Sequence, residues 1–531
     1  MKLHVVLSLV LTLALVLSPS NTLAGAEWSG TSRARLSGDA IFADLTGHAY
    51  TSEPVIFGSS MLPGEYMAAR GSALQEEDSY VPWESGRRFW VAVGEVAILE
   101  FIPWALARWV RHWEDPAKNW AKVSPDTWWN NLSKGWEYDG DNFLTNQFSH
   151  PYHGALFFSA GRSNGYTFWE SVPFALVGSA VWEHFGETYR PAFNDWINTG
   201  FNGAFFGESL YRLSVLITDN TATGSKRVWQ EIGGALVNPV RGFNRLISGE
   251  TGRVFANPPE YSPGVFRPVL SAGVRRMDAN GTDLVKDAVT QAFVSLDMQY
   301  GDLFHGSSST PFSSFSTAIA IAFPNREEDS TGVLNRVSVD GVLYRWSLSQ
   351  TESARHVLTA RGQYDYVANP AFEFGQTSLS GEWNSLYGLS EQWNIQLGVG
   401  IRAILMGGTP TDYYVDVEGR NYDFGSGWGT RVIASLVSEG WDIATVYYNG
   451  GWMWTQSEPS ASKHNFHFAT IAARYPFSQT LAVGIELGMY WRQSYYEKRY
   501  FDAVVPPPAQ PYEAKISRRH PMARLTLSAL L

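Results

Sequence analysis

The chain has 531 residues, more than one ordinary core needs, so two or more structural units are expected. A formal net charge of −11 with a pI near 5.5 argues against a nucleic-acid partner, which would need a basic stripe to neutralise phosphates. There is no cysteine, which excludes disulfides, thiol metal sites and a lipid-modified cysteine anchor, while aromatics reach 15% with 22 Trp and 25 Tyr, an excess that membrane-interface belts use.

Lys2, the apolar run 5-VVLSLVLTLALVL-17 and the small residues Ala24-Gly25-Ala26 read as a secretory signal over residues 1–26. Residues 27–84 mix Gly, Ser and charges without a period and read as an irregular segment. From 85 to 260 the pattern turns helical and predicts a compact helical domain. Its first stretch, 89-FWVAVGEVAILEFIPWALARWV-110, is long enough to span a bilayer but carries Glu95, Glu100, Pro103 and Arg108. Each charge facing lipid would cost about 2.5–3.5 kcal/mol on an insertion scale, so this helix is expected to pack against protein. Further helices are predicted over 172–187, 194–217, 226–237 and 239–248. Asn194 or Asp195 is expected to cap one, and Asn238 followed by Pro239 another. Gly200, Gly203 and Gly207 fall on one side of a helix and would let a second backbone approach.

The stretch 146-NQFSHPYHGALFFSAGRSNGYTFWESVPFALVGSAVWEHFGE-187 is apolar enough to be buried, yet it holds His150, His153, Arg162, Glu183, His184 and Glu187. Glu183 and Glu187 are four apart and repel each other on one helical face, so a cation, a proton or an arginine must compensate. The arginines in reach along the sequence are Arg162, Arg212, Arg241 and Arg245. Glu208 precedes Arg212 by four and is its natural partner; Arg241 and Arg245, just after a helix start, suit an anion. In one reading His150, His153, Glu183, His184 and Glu187 converge on a metal or act as acid and base, while the four arginines hold an anionic substrate. In the other, the same residues form a satisfied internal network that fixes helix packing. Glu-His-x-x-Glu is not the His-Glu-x-x-His of zinc hydrolases, and no G-x-S-x-G elbow or glycine-rich phosphate loop occurs, so metal and cofactor stay unknown.

The run Asn146-Gln147, His150-Pro151, His153-Gly154, Arg162, Asn164-Gly165, Trp169-Glu170-Ser171, Gly178-Ser179, Trp182-Glu183, Gly186-Glu187, Asn194-Asp195, Gly207-Glu208, Tyr211-Arg212-Leu213-Ser214, Asn238-Pro239 and Asn244-Arg245 resembles the bacterial domain of unknown function 3943 over about 130–250. The resemblance implies an exported protein of Gram-negative-type bacteria and supports treating these polar residues as a set. It brings no assigned activity.

From about 267 onward the period is two. In 393-WNIQLGVGIRAIL-405, Trp393, Ile395, Leu397, Val399, Ile401, Ala403 and Leu405 oppose Asn394, Gln396, Gly398, Gly400 and Arg402; in 481-LAVGIELGMYW-491, Leu481, Val483, Ile485, Leu487, Met489 and Trp491 oppose Ala482, Gly484, Glu486, Gly488 and Tyr490. About twelve such segments are predicted, an even number of strands long enough to cross lipid when tilted. The last, 523-ARLTLSALL-531, ends on Leu531, where many outer-membrane barrels end on an aromatic. A soluble sandwich would place its apolar faces inward; here the opposite faces are too small and polar for a dry core.

These readings converge on an α+β membrane protein: an antiparallel outer-membrane β-barrel of about 12 strands (261–531), preceded by a helical domain in the periplasm or plugging the lumen. Inward Arg275, Asp297, Arg345, Arg402 and Glu486 could then pair with helix charges. The expected role is structural or transport in the cell envelope; the alternative is an envelope enzyme acting on lipid or glycan. Expected partners are outer-membrane lipid, the barrel insertion machinery and a small solute or lipid ligand.

Overall fold

The computed structural model describes residues 86–531 except 114, 116–118, 279–282, 287, 306–307, 324–332, 414–419 and 504–512. The expected signal and the irregular segment at 27–84 lie outside the described residues. The helical part runs α1 (Phe89–Ala105), α2 (Pro125–Lys134), α3 (His150–Ser163), α4 (Phe168–Val181), α5 (Phe193–Ile197), α6 (Gly203–Ile217), α7 (Gly224–Val237) and α8 (Pro239–Ile247). Widened π-type turns extend α1 through Val110 and α4 through Gly186, and join α5 to α6 over Asn198–Asn202.

Local chemistry sets the helix starts. Asn238 caps α8 by accepting from the Arg241 N–H at 3.0 Å, with Pro239 in the first position, as expected. Ser124 with Pro125 does the same for α2, which the sequence reading did not anticipate, and α3 was also missed. Asn194 and Asp195 do not cap α5: Ala192 precedes that helix, and both polar residues are buried inside it. The glycine face does what its spacing predicts. A Cβ on Gly203 would fall 2.5 Å from the carbonyl carbon of Gly154, and one on Gly154 only 1.8 Å from Thr199 O, so α3 crosses α6 at backbone contact.

The second half is a closed antiparallel barrel of twelve strands, each paired with its sequence neighbour and the first with the last. The strands are β1 (Phe266–Met277), β2 (Val289–Tyr300), β3 (Phe315–Phe323), β4 (Leu334–Gln350), β5 (Ala354–Ala368), β6 (Glu373–Gly388), β7 (Trp393–Pro410), β8 (Tyr422–Ser438), β9 (Trp441–Thr455), β10 (Ser462–Pro476), β11 (Leu481–Tyr496) and β12 (Lys515–Leu530). Closure joins Val269 to Leu530 and Met277 to Met522. The chain enters and leaves the barrel at one end, which also holds the turns at 351–353, 389–392, 439–440 and 477–480. The connections at the other end include 411–421 and 497–514.

The two faces of the wall differ as the alternation requires. Val399, Ile401, Ile471, Leu487, Leu525 and Leu527 point outward and are more than half exposed, while the lumen is lined by Arg361, Gln363, Asp365, Arg402, Arg431, Glu486 and Arg524. An apolar layer of Met277, Phe372, Phe374, Ile404, Met453, Phe466, Tyr490 and Met522 crosses the interior. Phe372 stacks on Tyr490 with ring centroids 3.9 Å apart.

The helices do not plug the lumen. Because Arg361, Gln363 and Asp365 line the lumen, the alternate residues Gly362, Tyr364 and Tyr366 of β5 face outward, and these are what the helices cover. Phe205 fills the space beside Gly362, the Phe206 ring lies 5.9 Å from Tyr364, and Phe143 packs on Tyr366 and Tyr422 at 5.5 and 5.2 Å. Tyr364 donates to Gln147 O at 2.6 Å, and Thr377 to Asn198 Oδ1 at 3.2 Å. Gly375 and Gly408 leave room for the Gln147 side chain. Small residues and tyrosines on the outer wall therefore make the seat on which the helical part rests.

That position keeps the two sets of charges apart. Glu486 pairs with Arg524 at 3.1 Å, Asp297 with Arg336 at 3.9 Å and Arg402 with Asp365 at 4.0 Å. Arg275 donates to Gln291 at 3.0 Å and Arg345 to Phe304 O at 2.6 Å. The expectation that these five would meet helix charges fails because the wall stands between them.

Candidate functional site

Beside its apolar core the helical part buries many polar side chains and leaves many apolar ones exposed. Asn131, Asn146, Gln147, Asn164, Glu183, Asn194, Asp195, Asn198, Asn202 and Glu208 are buried, whereas Trp90, Trp109, Val110, Trp129, Val177 and Leu246 are exposed. In α1 the buried positions are Ala92 and Glu95. Glu95 accepts from Asn164 at 2.8 Å and Asn244 at 2.7 Å. The expectation that this helix packs against protein is thus half met: its polar stripe is buried in the bundle, and its apolar remainder is uncovered. Both buried carboxylate oxygens of Glu100 accept no hydrogen bond among the described residues.

The four arginines find partners within the chain. Arg162 Nε and Nη2 donate to Glu208 at 2.7 and 3.2 Å, and Arg212 Nε donates to the same carboxylate at 2.8 Å. Arg245 forms a two-pronged contact with Glu231 at 2.9 and 2.7 Å and a third bond to Glu250 at 2.9 Å. Arg241 donates to the hydroxyls of Ser214 at 2.9 Å and Thr218 at 2.8 Å; burial and the neighbouring Arg245 push its pKa down to about 10.

None of these arginines reaches Glu183 or Glu187. Those two carboxyls share a hydrogen bond and sit with Asp139, Asp141 and Asp195 in one cluster, in which Glu183 and Asp195 are buried and the other three half-buried. Glu183 Oε2 accepts from the Ala192 N–H at 2.7 Å. Burial raises the pKa of all five carboxyls, and mutual repulsion adds to it for Glu183, Glu187, Asp139 and Asp195. Among the described residues, the nitrogen within ion-pair distance of Asp195 is His150 Nε2, 3.6 Å from Oδ2, and no Lys or Arg pairs with Asp139, Glu183 or Glu187.

His150 is thus brought to the carboxylates, while His153 and His184 turn away. His153 Nε2 lies 3.2 Å from Leu99 O, its ring packed between Phe157 and Trp182, and burial lowers its pKa to about 4. His184 Nδ1 lies 2.8 Å from Ala180 O, and its ring meets Trp136 edge-on. Asp139 and Asp195 were not singled out as ligands from the sequence. Asp139 sits in the loop 137-EYDGDN-142, where acidic spacing was the available signal, and Asp195 looked like a helix cap. One ligand atom each of Asp139, His150 and Asp195 lie within 4.8 Å of one another, and this is the set that could hold a metal ion.

Residues 135–240 match the family model described as Domain of unknown function (DUF3943), the region that carries this cluster and the one whose motifs carried the resemblance. No curated protein matches the chain. Among solved structures, an outer membrane channel from Pseudomonas putida F1 aligns at 11% identity and a TM-score of 0.28, covering 50% of this chain and 95% of that one. The outer membrane channel DcaP of Acinetobacter baumannii aligns at 9% identity and a TM-score of 0.23, covering 50% of this chain and 96% of that one. At such identities and scores the likeness assigns neither substrate nor mechanism.

Proposed function

We propose that this chain is a bacterial outer-membrane protein with a structural or transport role in the cell envelope, in which lipid contacts both the barrel wall and the helices seated on it. The observation that carries this reading is the exterior of both halves, where large apolar side chains are exposed while charges and amides are buried inside. Water would favour the opposite arrangement, whereas a bilayer requires this one together with a closed barrel. The α1 stretch fits the same solvent. Phe89–Val110 is 22 residues of mean hydropathy 1.6 with 11% of its most apolar window buried, about 33 Å long at about 1.5 Å per residue, close to the thickness of a hydrocarbon core. The end at which the chain enters and leaves the barrel, with its short turns, is then periplasmic.

Within the barrel, a cavity of about 460 Å³ runs from Arg267, Asp442 and Arg474 to Phe372, Tyr490 and Met522. Paired charges line it: Arg361 and Arg431 both donate to Asp340 at 2.6 Å. Such a lumen suits a small polar solute held or passed under control, and the apolar layer at its far end argues against an open pore. Conductance of the purified protein in planar bilayers tests this. The wild type is expected to be nearly closed and the double variant Phe372→Ala, Tyr490→Ala to conduct; a large, steady wild-type conductance would remove the closed-lumen reading.

A further inference from the structure

Among the described residues no Lys or Arg pairs with Asp139, Asp195, Glu183 or Glu187, and the geometry of the cluster says where a cation would go. Asn146 Nδ2 donates to Asp139 Oδ1 at 2.7 Å, and Asn194 Nδ2 donates to Asp139 Oδ1 at 2.9 Å and to Asp195 Oδ1 at 2.7 Å. Each amide therefore holds one oxygen of a carboxylate. Among the described residues, His150 Nε2 is buried with no hydrogen-bond partner, 3.6 Å from Asp195 Oδ2. Asn146 provides a second, independent sign of a missing ligand. It is fully buried against Asp139, and its Oδ1 accepts no hydrogen bond among the described residues. A bare carboxamide oxygen on the residue that holds Asp139 and a bare imidazole nitrogen beside Asp195 are electron pairs with no donor among the described residues.

We propose that Asp139, His150 and Asp195, with the amide oxygen of Asn146 beside them, form a binding site for one divalent transition-metal ion such as Zn²⁺ or Mn²⁺. The imidazole nitrogen distinguishes this set from the all-oxygen shells that Ca²⁺ and Mg²⁺ take. Two ligand atoms bound to one such ion, each about 2.1 Å away, are at most about 4.2 Å apart, so a set within 4.8 Å closes on it with small side-chain shifts. Asn194, bridging both carboxylates, is the outer support that orients them. Glu183 and Glu187 stand behind this site, and the hydrogen bond they share requires a proton between them, so a proton and not an arginine compensates that pair. The site joins the loop before α3, α3 itself and α5, and Tyr422 of β8 touches it by accepting from Asn146 at 2.8 Å and donating to Asp141 O at 2.9 Å. A bound ion would therefore tie the helices to the barrel wall.

The test uses the full chain in detergent, stripped with a chelator and dialysed, with Co²⁺ and Zn²⁺ as probes. Titration with Co²⁺ should give one equivalent of a visible d–d band that Zn²⁺ displaces. His150→Ala and Asp195→Asn should each lower the affinity at least tenfold, whereas His153→Ala, whose ring pairs elsewhere, should not. X-ray absorption of the Zn²⁺-loaded wild type should show one imidazole and otherwise oxygen ligands, which keeps the test decisive if a variant does not fold. Absence of stoichiometric binding by the wild type, unchanged binding by the folded His150 and Asp195 variants, or a zinc shell without imidazole would each overturn the assignment. Failure here would leave the membrane reading intact, since that rests on the polarity of the exterior.

Discussion

Glu208 illustrates what a buried charge requires when the protein supplies the partner itself. It is fully buried and receives two guanidinium groups, from Arg162 and Arg212. Glu208→Gln would leave both cations in a low-dielectric interior without a counter-charge, a loss of about 3–5 kcal/mol on the scale of broken buried pairs. A fall of several degrees in the thermal midpoint of the purified protein is expected; a midpoint unchanged within error would mean that the triad contributes no net stability. Half of this triad was legible in the sequence, because Glu208 and Arg212 are one helical turn apart. The other half was not: Arg162 is 46 residues away, and only the α3–α6 crossing brings it in. The same limit explains the candidate site. The sequence exposed the conflict between Glu183 and Glu187 and included His150, but it grouped three histidines that local packing separates. It also passed over Asp139 and Asp195, whose role depends on a loop and a short helix meeting.

At the scale of elements, α1 and the strands contrast in what a pattern can reveal. The strands were legible almost throughout because the period of two is rigid and most outward side chains meet one solvent. It slips where the chain bulges, as between Ile404 and Gly407, where the pairing of β7 shifts and the alternation read through Leu405 no longer holds. The helix in 89–110 was equally plain, but its partner was not: Glu95 and Glu100 show that some face avoids lipid without saying how wide that face is. The structure makes it narrow, leaving Ile98 and Ile102 half exposed. Ile98→Asp should therefore reduce the amount of protein assembled in the outer-membrane fraction, since a carboxylate placed in hydrocarbon costs about 2.5–3.5 kcal/mol, while Ile98→Leu should not. Quantified immunoblots of fractionated membranes read this directly. Equal assembly of the Asp variant would mean that this face meets water or another protein.

For the whole molecule, the consequence of seating the helices outside the wall is that two polar interiors exist side by side with a strand layer between them. The lumen has its own network, in which Arg431 donates to both Asp340 and Glu382, at 2.6 and 3.1 Å. The bundle has Glu208 with its two arginines. Sites without shared partners contribute to stability independently, within about 0.3–0.5 kcal/mol. Glu382→Gln and Glu208→Gln should each lower the unfolding midpoint, and the double variant should lower it by the sum, with the chevron or denaturant slope unchanged. A helical plug would behave differently. Its charges would face those of the lumen, and removing one partner would change the cost of removing the other by about 0.5–3 kcal/mol. A double-mutant cycle across the wall therefore distinguishes the two placements in solution, with no need to locate the membrane: a coupling near zero agrees with helices on the outer face, and a clear coupling of either sign would put them inside.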